Sequence, residues 1–327
     1  MRSVRIIWPK LGGLLLFLSP TACVDAVRAH SQRACVVQIE REVQLAPLTY
    51  PLTVTRSEWG QYLLVDIAVQ DSIQVFDNQG VLVERFGGGG VHELGPIPAI
   101  QRWKGDSIAV WDVAHRRLLI YGSLWQAPRV KEPVLPARRA IPRLGDSLLV
   151  SADVRTPERV GLALHLLGPS GEIVRSFDGS SSFRASRPDA IARAITEARR
   201  SGVWAAEPNS YRIGRWSSAG ELLQTISRTP DWFKHNSNTK AQIIDISEDE
   251  AGLWVLANVT PISDRDIAYT VVELIDPNNG NLVASSRMEQ VLLGWISPRR
   301  GYAFEEGQTG GRVTVWKLVL HCTLEEV

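Results

Sequence analysis

The sequence predicts an all-β protein, a six-bladed β-propeller of four-stranded antiparallel blades, on three observations. Six segments share one form, a glycine at a turn followed by a short apolar strand and a polar break. They are Gly60-Gln-Tyr-Leu-Leu-Val-Asp66, Gly105-Asp-Ser-Ile-Ala-Val-Trp-Asp112, Gly145-Asp-Ser-Leu-Leu-Val-Ser-Ala-Asp153, Gly202-Val-Trp-Ala-Ala-Glu207, Gly252-Leu-Trp-Val-Leu-Ala-Asn258 and Gly301-Tyr-Ala-Phe-Glu305. Their glycines lie 45, 40, 57, 50 and 49 residues apart, near the spacing of propeller blades, roughly 40–50 residues. A hairpin pattern follows each segment, and radial closure of such units leaves only short protected edges.

In chain order, Met1–Cys23 comes first. Arg2, Arg5 and Lys10 precede the apolar stretch Leu11–Leu18, and small residues follow to Ala22. That pattern is a secretory signal. The apolar run is shorter than the ~20 residues a membrane span needs, and no later stretch reaches that length, so the mature chain is expected to lack a transmembrane helix. Leu18-Ser-Pro-Thr-Ala-Cys23 resembles a bacterial lipoprotein box, with Cys23 as the lipidated residue, although Pro20 stands where leucine is preferred. Ordinary cleavage after Ala26 or Ala29 is the competing reading. The organisation expected is a signal peptide over 1–23, a short linker over 24–34 and the propeller over 35–327.

Within each unit, a strand is expected before the glycine, near 51–59, 97–104, 137–144, 190–201, 241–250 and 290–300. Ile243-Ile-Asp-Ile246 and Val291-Leu-Leu-Gly-Trp295 carry this well. Residues 186–201 contain good helix formers, with Ile191 and Ile195 at helical spacing, and a short helix there remains an open alternative to a strand. The third and fourth strands are clearest in Ile73–Phe86, which alternates on both sides of Asn78-Gln-Gly80. They recur in Leu162–Phe177, Tyr211–Ile226 and Thr270–Ser285. In the second unit Pro128, Pro133 and Pro136 weaken the outer strand. Trp103, Trp111, Trp204, Trp216, Trp254, Trp295 and Trp316 fall on or beside these strands, where packing between blades is the expected role.

Composition narrows the function. Lys and Arg number 36 against 35 Asp and Glu, so no overall field recommends nucleic acid. Three cysteines and six histidines are thin material for a thiol or imidazole metal cluster; His92, His115, His165, His235 and His321 show no ligand spacing. Gly87–Gly90 lacks the following helix and the Lys-Ser/Thr pair of a nucleotide loop and reads as a connection between blades. There is no Gly-x-Ser-x-Gly elbow.

Ser72–Gly87 resembles an NHL-type repeat, and together with Gly87–Pro96 it is similar to six-bladed propeller proteins of bacterial envelopes. The resemblance implies the fold over roughly 36–321. Proteins of this architecture include protein-binding, peptide-binding, hydrolytic and lyase members, so it does not choose an activity. Sugar-lactone hydrolases of this fold hold a divalent metal near the axis with a Glu, Asn and Asp set. By that likeness Asp66, Asp112, Asp153, Glu207 and Asn258, with Glu305, are the candidate ligand-binding residues, and Ca or Mg the matching ion. The simpler account is that one Asp or Asn per repeat closes a turn.

Ring closure supplies a role for two cysteines. Cys35–Leu45 and Arg312–Cys322 both alternate as strands, and their antiparallel pairing in the sixth blade sets Cys35 beside Cys322 for a disulfide in an oxidising compartment. Two free buried thiols are the alternative. Basic residues gather at Lys104, Arg138, Arg139, Arg143, Arg199, Arg200, Arg299 and Arg300. They suit either an anionic ligand at the axis or a solvated rim balanced by Asp106, Asp146, Glu248, Asp249 and Glu250. The expectation is an exported, monomeric, non-enzymatic binding module of the bacterial envelope or periplasm. It would engage a protein, peptide or glycan through loops or the axial mouth, without a cofactor; an axial divalent-metal hydrolase or lyase is the alternative.

Overall fold

The computed structural model describes residues 33–87, 94–95, 97, 99–122, 127–132, 135, 137, 139–143, 146–179, 192–233, 239–261, 268–308 and 310–324. The signal segment, Cys23, most of 24–34, and 88–90 of the glycine run lie outside them. Six four-stranded antiparallel sheets are present. The first blade is β2 (Pro51–Arg56), β3 (Tyr62–Asp66), β4 (Ser72–Phe76) and β5 (Leu82–Gly87). The second is β6 (Ala99–Arg102), β7 (Ile108–Asp112), β8 (Arg117–Tyr121) and a three-residue β9 (Arg129–Lys131), short beside Pro128 as expected. The third is β10 (Ala140–Pro142), β11 (Leu148–Ser151), β12 (Leu162–Leu167) and β13 (Ile173–Gly179).

The fourth blade is β14 (Ala194–Glu197), β15 (Val203–Ala206), β16 (Arg212–Trp216) and β17 (Leu222–Ser227). Over 194–197 the open choice between helix and strand falls to strand, because Ala194–Glu197 pair with Ala206–Val203; residues 180–191 lie outside the described residues. The fifth is β18 (Thr239–Glu248), β19 (Leu253–Pro261), β20 (Tyr269–Ile275) and β21 (Leu282–Met288). The sixth takes β22 (Leu292–Ser297), β23 (Arg300–Glu305) and β24 (Gly311–Leu324) from the end of the chain, and β1 (Arg33–Leu48) from its start. β1 and β24 pair from Arg33↔Leu324 to Leu48↔Gly311. Cys35 and Cys322 are opposite each other in that register and form a disulfide across a sequence separation of 287. A seal of this kind converts an open arc into a ring.

The core is divided among the seams. Leu63 and Val65 pack with Ile108 and Val110 between the first two blades, while their neighbours Tyr62 and Leu64 pack on the other face against Val313 and Val315 of the sixth. Leu253 and Val255 turn to the fourth blade, Trp254 and Leu256 to the sixth. Since a strand alternates its faces, a strand buried on both reads as an unbroken apolar run. That is why the second strand of every unit stands out in the sequence. The indoles fill these seams: Trp103, Trp111, Trp204, Trp216, Trp254 and Trp295 are all buried. Gly202 is needed in its turn, since its φ is +88° and an added Cβ would lie 2.1 Å from the Trp216 carbonyl oxygen.

Candidate functional site: the axial mouth

The first strand of each blade is innermost, so β2, β6, β10, β14, β18 and β22 surround the axis. Each starts on the rim where the second strand of its blade ends, the upper rim. The upper rim carries the blade-to-blade connections and the loops between second and third strands. Side chains lace adjacent blades near this end. Gln101 donates from Nε2 to the Ala140 carbonyl (2.6 Å) and accepts from the Ala140 N–H at Oε1 (3.0 Å). The Thr53 hydroxyl makes the same two-way contact with Ile100 at 3.3 and 3.4 Å.

All the candidate ligands of the sequence reading but Asn258 lie on this rim, each engaged locally. Asp66 accepts from the N–H groups of Thr49 (2.5 Å) and Ala68 (2.9 Å) and so fastens the crossing from β1 to β2. Asp112 is fully buried and accepts at Oδ2 from His115 Nδ1 and from Arg117 Nε, both at 2.8 Å. Burial pushes its carboxyl up, but these hydrogen bonds outweigh that effect and hold its pKa below the ordinary value. Asp153 pairs with Arg155 at 2.9 Å. Glu207 accepts from the Ser210 hydroxyl (2.6 Å) and Arg212 Nη1 (2.8 Å).

Asn258 does not end its strand, since β19 runs on to Pro261. Its amide donates to the Leu292 carbonyl (2.8 Å) and accepts from the Thr270 hydroxyl (2.8 Å), joining the fifth blade to the sixth. Glu305 pairs with Arg312 at 2.8 Å. Among the described residues no group of three His, Cys, Asp or Glu side chains is placed to hold a metal ion. The oxygens of this set are satisfied by nearby N–H and O–H donors, which is the chemistry of turns and seams.

Most of the basic residues lie on the opposite rim, where Arg299 and Arg300 are paired with carboxylates, Arg300 with Glu42 at 2.7 Å. Arg299 meets Asp249 at 2.5 Å and Glu250 at 2.6 Å beside the Trp254 ring. The Arg199 backbone N–H donates to the Glu248 carboxylate (2.8 Å). Arg139 departs from that pattern. It precedes β10 at the upper rim and crosses from the third blade to Asp245 in β18 of the fifth, with Nη1–Oδ1 and Nη2–Oδ2 both 2.5 Å. Nη1 also donates to the Ile195 carbonyl of the fourth blade (3.4 Å). Asp245 accepts in addition from the Trp295 N–H of the sixth blade (2.9 Å) and from the Ile246 N–H (2.8 Å). One ion pair therefore ties four blades at the axis.

Around the pair is a small cradle. Gly294, on the inner strand β22, has room where a Cβ would stand 3.4 Å from Asp245 Oδ2 and 4.0 Å from the Tyr302 hydroxyl. Tyr302 is 9% exposed. Burial and the Asp245 charge raise its pKa, so it remains a phenol able to donate. Tyr50 and Leu52 are exposed at the start of the first blade, and Tyr50 rests edge-on against Phe304 with centroids 5.0 Å apart. An ion-paired guanidinium, a protonated phenol and an apolar lip are the parts of a small recognition site. The sequence did carry one signal for it: Asp245 interrupts the apolar run Ile243-Ile-Asp-Ile246, where a carboxylate needs a partner.

No protein-family model and no curated protein matches this chain. Solved structures are similar in fold. A member of the DUF4221 family from Bacteroides vulgatus superposes with a TM-score of 0.60 at 11% identity, covering 90% of this chain and 100% of its own. A candidate exported protein from Bacteroides fragilis gives 0.61 at 11% identity, with 87% and 96% covered. A gluconolactonase from Xanthomonas campestris gives 0.53 at 11% identity, with 90% and 93% covered. At such identity the likeness defines the class alone, a six-bladed β-propeller with bacterial structural neighbours.

Proposed function

We propose that the protein is an exported, non-enzymatic binding module of the bacterial envelope that receives part of a protein, peptide or glycan at its axial mouth. The observation that carries this reading is the Arg139–Asp245 pair, held in place from four blades at the axis, with Tyr50 and Leu52 accessible at the start of the first blade. Burying an ion pair is expensive, and apolar packing of the same space is often at least as stable; retaining one at the axis favours a recognition role. Export is supported by the Cys35–Cys322 disulfide, since such bonds persist in oxidising compartments. Cys23 is the proposed lipid attachment point.

The metal-hydrolase alternative is not adopted. Asp66, Asp112, Glu207 and Asn258 already accept the donors described above, which favours turn and seam roles for them. The reading is tested by screening the purified protein on peptide and glycan arrays beside the Leu52→Arg variant, which obstructs the mouth. Signals lost in the variant support it. A ligand bound equally by both proteins sinks it.

A further inference from the structure

We propose that the axial site binds a carboxylate group, held by the free edge of the Arg139 guanidinium and by the Tyr302 hydroxyl. This rests on the axial mouth being the binding surface. A guanidinium has five N–H donors in a fixed fork. Three of Arg139's are engaged, two at Nη1 with Asp245 and the Ile195 carbonyl, and one at Nη2 with Asp245. The remaining pair, Nε–H and the second Nη2–H, lie parallel on one edge and make no hydrogen bond to a described residue. The side chain as a whole is 32% exposed, and its unbonded Nε is not fully buried. Two parallel N–H groups match the two oxygens of a carboxylate.

Orientation is already fixed, because Asp245 grips the other edge and is itself held by the Trp295 and Ile246 N–H groups. Little rotamer freedom is then lost on binding, the usual condition for a useful Arg contact. Tyr302 adds a second donor: it is nine-tenths buried, faces the cradle at Gly294, and its hydroxyl makes no hydrogen bond to a described residue. Charge sets the class of anion. Asp245 offsets the Arg139 charge and repels a dianion about twice as strongly as a monoanion, so a planar carboxylate is favoured over a phosphate dianion. The rest of the ligand would rest on Tyr50 and Leu52.

The test reads the Arg139 Nε–H NMR resonance during titrations of the whole protein. The probes are acetyl-dialanine with its C-terminal amide, and galacturonate with its methyl ester. The acids are expected to move the resonance saturably and their neutral partners to leave it in place; which acid binds more tightly identifies a peptide terminus or a uronic acid as the source. Tyr302→Phe, which removes a hydroxyl without a partner among the described residues, should weaken the binding about tenfold or more with an unchanged melting temperature. Gly294→Ala should block it by filling the cradle. A resonance moved by no acid, an equal response to acids and neutral partners, or unaltered affinity in Tyr302→Phe overturns the proposal. A neutral array ligand that moves Tyr50 and Leu52 but not Arg139 removes the carboxylate assignment alone, whereas array ligands that move none of the three remove the axial reading itself.

Discussion

Arg139 of the third blade and Asp245 of the fifth meet across the propeller axis as a two-pronged ion pair, though 106 residues separate them in the chain. The third and fifth blades flank the fourth, and the pair spans it on the axial side, where Arg139 also meets the Ile195 carbonyl. The inner-strand ladder is thus braced by a polar crosspiece as well as by the apolar seams.

Breaking that crosspiece on the acidic side is expected to be costly. Asp245→Ala leaves Arg139 partly buried without its partner and strips the Trp295 N–H of an acceptor. A loss of about 3 kcal/mol is expected, the lower end of the roughly 3–5 kcal/mol for a broken buried pair, because Arg139 retains some solvent. In urea unfolding the double variant Asp245→Ala/Arg139→Met should recover part of it, and strictly additive losses would contradict the coupling.

The disulfide closes nearly the whole chain. Cys322→Ser is expected to lower stability by about 2–5 kcal/mol, and thermal unfolding of the wild type should fall similarly once a reductant is present. Thiol alkylation of the unreduced, denatured protein should leave Cys35 and Cys322 unlabelled. Full labelling of both would remove the closure argument.

Acid should weaken the third blade through His165. The ring is fully buried, with Nδ1 2.8 Å from the Ser176 hydroxyl and Nε2 3.1 Å from the Ala152 carbonyl. Burial is the largest influence and lowers its pKa below 6.5. The unfolded chain then binds the proton more readily than the folded one, so stability is complete above about pH 6.5 and declines as the pH falls below it. The slope of unfolding free energy between pH 7 and 5 measures this, and His165→Gln should flatten it.

At Asn258 a seam role and a metal role predict different outcomes. Asn258→Ala is expected to cost about 1–2 kcal/mol, since the Leu292 carbonyl and Thr270 hydroxyl lose their partner. Elemental analysis of purified protein should find no stoichiometric divalent ion in either the wild type or the variant. An ion present in the first and absent from the second would restore the hydrolase alternative.

Blade number, strand order and terminal closure are all legible in the chain because they depend on local patterns. Second strands buried on both faces appear as apolar runs such as Leu253–Ala257, turns carry their glycines, and the alternation of Cys35–Leu45 and Arg312–Cys322 announces two strands in need of partners. Even the Asp and Asn residues ending or bordering strands could be read as turn closers, which agrees with the local hydrogen bonds of Asp66 and Glu207.

What stayed hidden is who meets whom around the axis. Arg139 looked like one more rim charge, and Tyr302 like one more strand aromatic; no spacing in the sequence links them to Asp245 or to Gly294. Periodicity reports which face of a strand is buried, a property of neighbours two to four residues apart. The direction in which an inner-strand side chain points across a closed ring is set by the number of blades and their rotation about the axis. That is a property of the assembled fold, and there alone the axial site exists.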